Sequence, residues 1–164
     1  MAESMADLQK KMKAQNFQMK ATQAAERGAL DVALSLYRQA LALNPHDESI
    51  RRQFHETRVR LFLQKKKGGL GAAFAEMGAQ MKLSKAQGLI KKGQLEEALE
   101  LAEEAMDANP LSPKLNELYF DIAQRTNHPE AMLSAMEALS SSAPNDIDLM
   151  LRLGKTYMQA GVYG

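Results

Sequence analysis

The sequence KLSKAQGLIKKGQLEEALELAEEAMDANP, residues 82–110, decides the fold because it encodes two amphipathic helices separated by one glycine. On both sides of Gly93, apolar and small residues recur every three to four positions, which is the spacing of a buried helix face. Lys92 and Gly93 are typical of a helix C-terminus, since glycine adopts the left-handed conformation at little cost. Pro110 ends the second helix because the residue before a proline is pushed out of helical geometry. The stretch is therefore predicted to be a helical hairpin.

Three alanines indicate how closely the two helices of this hairpin approach. Ala98 and Ala105 are seven residues apart on one face of the second helix, and Ala86 is expected opposite them on the first helix. Methyl groups leave little bulk between two helices. We therefore expect the two backbones to pack closely at these positions.

The same pattern occurs 65 residues earlier in the chain. Residues 17–45 are identical to residues 82–110 at ten positions, including the turn glycine, Gly28, and the closing pair Asn44 and Pro45. Matches of alanine and leucine can reflect composition, but the shared glycine and Asn-Pro positions do not. A weaker copy spans residues 113–144, and a fourth begins at Ile147.

The order of small residue, glycine, alanine, bulky residue, alanine and closing proline, over about 34 residues, resembles the tetratricopeptide repeat. The resemblance covers nearly the whole chain. It implies an all-α fold, an α-solenoid of antiparallel helical hairpins that forms a right-handed superhelix of about eight helices. It also implies a groove lined by the first helix of each hairpin, a kind of surface that binds segments of partner proteins.

Composition excludes several classes of protein. The chain has 164 residues and no cysteine, so it fits one domain or one short solenoid without disulfides. No stretch approaches the ~20 apolar residues that span a bilayer, so no membrane insertion is expected. No arginine precedes Arg27, which argues against a secretory signal or transit peptide. We expect a cytoplasmic protein.

Charge is unevenly placed along the chain. The net charge is +1, but residues 1–70 hold 13 Lys/Arg against 7 Asp/Glu, whereas residues 71–164 hold 8 against 13. A basic helix over residues 49–66 is predicted to carry a positive stripe. This stripe has three possible interpretations: a solvated helix face, a site for an acidic protein surface, or a nucleic-acid site. Scarce aromatic residues disfavour nucleic acid. The basic stripe consists of Arg51, Arg52, Arg58, Arg60, Lys65, Lys66 and Lys67.

An acidic face is predicted on the helix over residues 95–108, which contains no Lys or Arg. As the second helix of its hairpin, it should point mainly away from the groove. Its charge complements the basic stripe, so head-to-tail pairing of molecules or an intramolecular contact would follow, with about 0–1 kcal/mol for each exposed ion pair. The acidic face consists of Glu96, Glu97, Glu100, Glu103, Glu104 and Asp107.

A glycine-rich segment, residues 68–71, divides the chain. Phosphate-binding glycine loops follow a strand, whereas a helix precedes this one, so a turn or hinge is favoured. The expected organisation is an N-terminal hairpin plus capping helix in residues 1–67, and hairpins with the last one incomplete in residues 72–164. A degenerate repeat between the two parts is the alternative to a capping helix followed by an extended helix from about residue 72 to 92.

Methionine is abundant, with 11 residues. The first helix, predicted over residues 3–27, carries a thin heptad seam of Met5, Leu8, Met12 and Met19, which either packs on the next helices or forms a dimer contact. Elsewhere the methionines are expected to fill the core, although some near the groove could make adaptable apolar contacts. The last helix stops where the repeat pattern would turn, which predicts a fragment or a terminal cap; its apolar side favours a fragment.

No constellation of residues predicts catalysis. His46, His55 and His128 lie beside turns or on a charged helix, without partners at metal-ligand spacing. The carboxylates cluster on a solvated face with no apolar pocket to raise a pKa. We expect no enzyme activity, no catalytic residue, no metal site and no cofactor.

The predicted function is a non-catalytic scaffold or adaptor that binds a protein or peptide, with an acidic surface, through the groove or the basic stripe. The paired Lys and Asn that hold a C-terminal carboxylate in the resembled family are not matched at most groove positions. The alternative function is a structural or assembly protein that self-associates or decorates a protein polymer through complementary basic and acidic faces. The predicted groove residues are Gln18, Thr22, Gln80, Gln87, Lys91, Lys114, Asp121, Arg125, Arg152 and Lys155.

Overall fold

The computed structural model describes residues 3–65 and 69–161, which form helices and turns without any strand. This part of the chain contains eight helices, which confirms the predicted all-α fold. Contacts divide the chain into two units, Met1–Gln64 with the first three helices and Lys65–Gly164 with the other five. Each unit has its own buried core. The helices are α1 Met5–Glu26, α2 Leu30–Leu43, α3 Glu48–Gln64, α4 Leu70–Lys91, α5 Leu95–Ala105, α6 Pro113–Arg125, α7 Pro129–Ser142 and α8 Ile147–Gln159.

Three turns between helices share one hydrogen-bond pattern. Gly28, Gly93 and Asn127 have φ angles of 81°, 79° and 59°, in the left-handed region that favours glycine and tolerates asparagine. In each turn the next backbone N–H donates to a carbonyl five residues earlier, at 2.9–3.0 Å. This is the Schellman arrangement that satisfies the last carbonyls of a helix. The predicted turn at Gly93 is confirmed, and Asn127 supplies the same conformation in the third copy.

In the first unit, α1 and α2 form a hairpin and α3 packs mainly on α2. Ala33, Tyr37 and Ala40 of α2 are buried together with Phe54 of α3. The Asp47 carboxylate accepts a hydrogen bond from the Ile50 backbone N–H at 3.0 Å, which caps α3. A single helix therefore follows the first hairpin.

In the second unit, α4 and α5 form one hairpin, α6 and α7 form the next, and α8 packs on α7. The three alanines predicted at the closest approach of α4 and α5, Ala86, Ala98 and Ala105, are all buried. Helix α5 ends at Ala105, three residues earlier than predicted, because the backbone already turns before Pro110. Helix α4 begins at Leu70, so it contains most of the predicted extended helix.

Polar contacts between first helices recur at the repeat spacing in both units. Gln18 donates to Gln53, 35 residues later, at 2.8 Å. In the second unit, Gln87 donates to Asp121, 34 residues later, at 3.4 Å. Arg152 donates to Glu117, 35 residues earlier, at 2.9 Å. Because the spacing is close to 34 residues each time, each unit stacks its helices with tetratricopeptide periodicity.

The methionine seam of α1 does not pack on the neighbouring helices, so that prediction is wrong. Met5, Met12 and Met19 each expose more than half of their surface. The buried residues of α1 are the small ones, such as Ala14 and Ala21, because the α1 side toward α2 is built of methyl groups. A dimer contact through the seam stays a prediction.

The cap of α6 provides a test of the second unit. The Ser112 hydroxyl accepts from the Leu115 backbone N–H at 3.3 Å and donates to the Glu76 carboxylate of α4 at 2.6 Å. Ser112→Ala should lower the free energy of unfolding by about 1–2 kcal/mol, since both contacts are lost. Urea denaturation followed by circular dichroism measures the change. Ser141→Ala, at an exposed helical position, should cost less than about 0.5 kcal/mol, and equal losses would contradict the cap assignment.

Candidate functional site

The side of the second unit formed by its first helices, α4, α6 and α8, contains most of the predicted groove residues. Gln87 and Asp121 are in contact at 3.4 Å, and Asp121 also binds Arg125 at 3.1 Å. Residues spaced by three or four positions lie on one side of a helix. The other residues of this surface are therefore assigned by their spacing along α4, α6 and α8. We call this surface the first-helix face; it comprises Gln80, Gln87, Lys91, Lys114, Glu117, Asp121, Arg125, Asp148, Arg152 and Lys155.

Arg152 is the most firmly held cation of this face. Its guanidinium donates two hydrogen bonds to the Glu117 carboxylate, at 2.9 and 3.1 Å. The guanidinium carbon lies 5.2 Å from the centroid of the Phe120 ring, within the range of a cation–π contact. The bonds to Glu117 raise the pKa of Arg152 above its ordinary value, although partial burial opposes the shift. Helices α6 and α8 are thereby joined through one planar, doubly bonded group.

A cavity of about 500 Å³, widely open to solvent, lies beside Arg152. The start of α6, the end of α7 and the start of α8 surround it. Its lining combines apolar residues such as Leu139 and Leu149 with charged residues such as Lys114 and Arg152, a mixture found in sites that hold an apolar side chain while polar groups fix its orientation. The lining residues are Pro113, Lys114, Glu117, Leu139, Ser142, Ala143, Asp146, Asp148, Leu149 and Arg152.

The first-helix face carries an excess of positive charge. Five cations stand on it against Glu117, Asp121 and Asp148, and two of those carboxylates are used by Arg152 and Arg125. Among the described residues no ion pair is formed by the three exposed lysines of the face, Lys91, Lys114 and Lys155. These ammonium groups are therefore available to negative charge on a bound molecule.

The two predicted groove residues of the first unit are engaged in its internal packing. Gln18 donates to the Ser49 hydroxyl at 3.0 Å and to the Gln53 side chain at 2.8 Å, both on α3. The Thr22 hydroxyl lies 3.1 Å from the Tyr37 hydroxyl of α2. Both side chains stabilise contacts between helices of that unit.

The basic stripe is not a continuous exposed surface, so the prediction needs a correction. Arg51 and Arg58 are only 3% and 4% exposed, and the guanidinium of Arg58 lies 4.3 Å from the centroid of the Phe54 ring. Positions 51, 54 and 58 share one side of α3, so two of the arginines lie on the side that buries the aromatic ring. Arg52, Arg60 and Lys65 are exposed, and Arg52 pairs with Glu48 on the same helix. Lys66 and Lys67 lie outside the described residues, as does Gly68 of the glycine-rich segment.

The acidic residues of α5 are largely exposed. Glu96, Glu97, Glu100, Glu104 and Asp107 are open to solvent, and Glu104 lies 3.7 Å from the Lys82 ammonium group of α4. Glu103 is half-buried and accepts a hydrogen bond from the Tyr119 hydroxyl of α6. The second unit therefore presents an acidic surface on α5 and a more basic one on its first helices.

Sequence reasoning missed the apolar wall of the cavity. Leu139 and Ala143 belong to the end of a second helix, a part of the repeat that the resemblance does not place in the groove. Asp148 also lines the cavity, and it stands 34 residues after Lys114 at the same repeat position. That spacing was the one available signal for it.

No helix within residues 3–65 and 69–161 has the length and apolar character needed to cross a bilayer. No protein-family model matches the chain, and no curated protein matches it.

Several solved structures are similar in fold at low sequence identity. The MamA protein is 14% identical, with 92% of this chain and 84% of that chain covered and a TM-score of 0.41. The first TPR of Spaghetti (RPAP3), bound to the HSP90 peptide SRMEEVD, is 13% identical, with coverage of 92% and 98% and a TM-score of 0.34. YrrB, a TPR protein with an unusual peptide-binding site, is 17% identical, with coverage of 89% and 77% and a TM-score of 0.38. The helix order, the repeated Schellman turns and the 34-residue spacing of the contacts between first helices are those of an all-α fold of helical hairpins with tetratricopeptide-like periodicity.

Proposed function

We propose that this chain is a non-catalytic protein-interaction module whose first-helix face binds an acidic segment of a partner protein. The observation that carries the proposal is the cavity beside Arg152, set in a face with three exposed lysines. A cytoplasmic adaptor role, as predicted from the sequence, belongs to this proposal.

The cavity supplies the apolar part of such a site. A segment lying across α6 and α8 could place one apolar side chain against Leu139 and Leu149. Burial of a side chain of that size contributes about 1.5–3 kcal/mol. One anchor of this kind, surrounded by polar groups, is typical of peptide-binding surfaces.

The lysines supply the preference for negative charge. Lys114 lines the cavity, and Lys91 and Lys155 lie further along the same face. Each exposed ion pair contributes only about 0–1 kcal/mol. The lysines therefore favour negatively charged partners but add little to the binding affinity. Binding is therefore expected to weaken as ionic strength rises.

The test combines a peptide-display library with a charge-reversal variant. Random 12-residue peptides, which when extended reach about 40 Å and so can cross all three first helices, are selected on the wild-type chain, and each enriched peptide is measured by fluorescence anisotropy. We expect the enriched peptides to be acidic and to bind Lys91→Glu/Lys114→Glu/Lys155→Glu at least about tenfold more weakly. The physical reason is that three attractive contacts become repulsive.

The matched control has the same change in net charge elsewhere on the protein. Lys85 lies away from Gln87 and Lys91 around α4, and Lys10 and Lys20 are exposed on α1. Lys10→Glu/Lys20→Glu/Lys85→Glu should bind the same peptides within about twofold. Enrichment of neutral or basic peptides, or equal weakening in both variants, would contradict the proposal.

The alternative, assembly through complementary basic and acidic faces, is supported by the exposed carboxylates of α5. The basic face that this assembly needs has fewer exposed cations than predicted, because Arg51 and Arg58 are buried. We therefore propose partner binding at the first-helix face as the primary function.

A further inference from the structure

Helix α4 exposes a row of large apolar side chains on its N-terminal half. Leu70, Phe74, Met77 and Met81 are between 57% and 76% exposed. Their spacing of four, three and four residues places them along one side of the helix, as in the seam of a coiled coil. Four such side chains form an apolar patch on the order of 400 Å², a size at which exposed patches on a monomer mark interaction sites. We call these four residues the α4 seam.

The part of α4 that carries the α4 seam contains little charge. Within residues 70–81 the only charged residue is Glu76, and its carboxylate accepts a hydrogen bond from Ser112 of α6. Gly71 and Gly78 flank the seam, and a Cβ at either position would meet no atom within 4 Å. A second helix can therefore approach the α4 backbone closely on that side.

The spacing of the seam is the same in both directions along the chain. When a second copy of α4 is laid antiparallel with its centre between residues 75 and 76, Leu70 comes opposite Met81 and Phe74 comes opposite Met77. A surface that matches itself after a two-fold rotation is what a symmetric dimer requires. A neutral seam also meets its own copy without like-charge repulsion, whereas it offers nothing to steer a charged partner.

We propose that a second copy of this chain docks on the α4 seam, so that two α4 helices pack antiparallel in a two-fold symmetric dimer. Phe74 of each protomer packs against Met77 of its partner, and the flanking glycines allow the close approach. A standard stable interface buries about 800 Å² on each partner, and the apolar patch supplies roughly half of that area, so we expect a weak dimer with a Kd no tighter than about micromolar. This inference is independent of the proposed partner binding, because the seam and the first-helix lysines are different side chains.

Sedimentation equilibrium on the full chain tests the dimer. The wild type should dimerise in the micromolar range, and Phe74→Glu/Met77→Glu should weaken dimerisation at least about 100-fold. Both residues are exposed, so the variant should keep the helical circular dichroism of the wild type. The matched control, Met150→Glu/Met158→Glu, replaces equally exposed apolar residues of α8 and should keep the dimer. A monomeric wild type, a dimer that survives in the α4 variant, or a dimer lost in the α8 variant would each overturn the proposal.

Disulfide trapping tests the antiparallel register, and the absence of native cysteines makes it unambiguous. An equimolar mixture of Leu70→Cys and Met81→Cys should form a covalent heterodimer under mild oxidation. Neither variant alone should do so, because residue 70 and its own copy would lie 11 residues, about 16 Å, apart along the helices. A disulfide needs Cα atoms within about 7 Å. Efficient trapping of Leu70→Cys with itself would indicate parallel helices and overturn the proposal.

The two proposals fail independently. Lys91→Glu/Lys114→Glu/Lys155→Glu should leave the dimer intact, and Phe74→Glu/Met77→Glu should still bind the selected acidic peptides. Loss of peptide binding therefore reports on the first-helix face, and loss of dimerisation reports on the α4 seam.

Discussion

Arg58→Ala is expected to lower the free energy of unfolding by about 2–4 kcal/mol, whereas Arg60→Ala, two residues later, should lower it by less than about 0.5 kcal/mol. The two residues belong to one run of cations, yet Arg58 is 4% exposed and Arg60 is open to solvent. Equilibrium urea denaturation of the full chain, followed by circular dichroism, measures both changes.

The expected loss at Arg58 has two physical sources. Its guanidinium lies 4.3 Å from the centroid of the Phe54 ring, and a desolvated cation–π contact contributes about 2 kcal/mol or more. Its aliphatic stem also fills space near the buried ring, so truncation to alanine leaves a cavity. Arg38 approaches the same ring at 5.4 Å, so Phe54 is in contact with two cations.

Arg58→Lys distinguishes these sources. Lysine keeps the charge and most of the stem but loses the planar group that stacks on an aromatic ring. We expect a loss between those of Arg60→Ala and Arg58→Ala. Equal losses for Arg58→Ala and Arg60→Ala would show that burial on the side of Phe54 does not stabilise the protein.

The same arginines show that a run of charged residues in a sequence does not predict which of them are exposed. The residues predicted a helix over this stretch, and α3 is present, but seven cations were interpreted as one exposed stripe. The signal for the burial of Arg51 and Arg58 was their spacing of three and four residues from Phe54, an aromatic residue on a core-facing side. Arginine can stay charged next to a ring inside a protein, so charge alone does not predict exposure.

The helical hairpins were predictable because their causes are local. A glycine at the C-terminus of a helix and a proline after the next helix act within a few residues, so Gly93 and Pro110 marked the turns without tertiary information. The turn at Asn127 also has a local cause, since asparagine is a residue type that tolerates a left-handed conformation.

The exposed seams were not predictable, because exposure depends on whether another element covers a helix. Met5 and Phe74 have the residue types of a core, and nothing local distinguishes them from the buried Met132 and Met136. The cavity is a similar case. Lys114 and Arg152 followed from the repeat pattern, but Leu139 joins them only through the packing of α7 against α8.

Ala98→Phe is expected to lower the free energy of unfolding by about 3 kcal/mol, at the upper end of the cost of overpacking. Ala98 has no exposed surface and belongs to the core that includes Ala86, Ala102 and Ala105. Because α4 and α5 pack through methyl groups, a phenyl ring at Ala98 has no space unless the helices separate. Chemical denaturation of the full chain measures the loss.

The matched control for Ala98→Phe is the substitution of its neighbour, Glu97→Phe, which adds the same ring at an exposed position of α5. It should change stability by less than about 0.5 kcal/mol, because nothing has to move. A similar loss in both variants would indicate that phenylalanine lowers the helix propensity of α5 and that close packing is not the cause. A large loss confined to Ala98→Phe would instead show that the small side chains within the stretch 82–110 set the distance between α4 and α5.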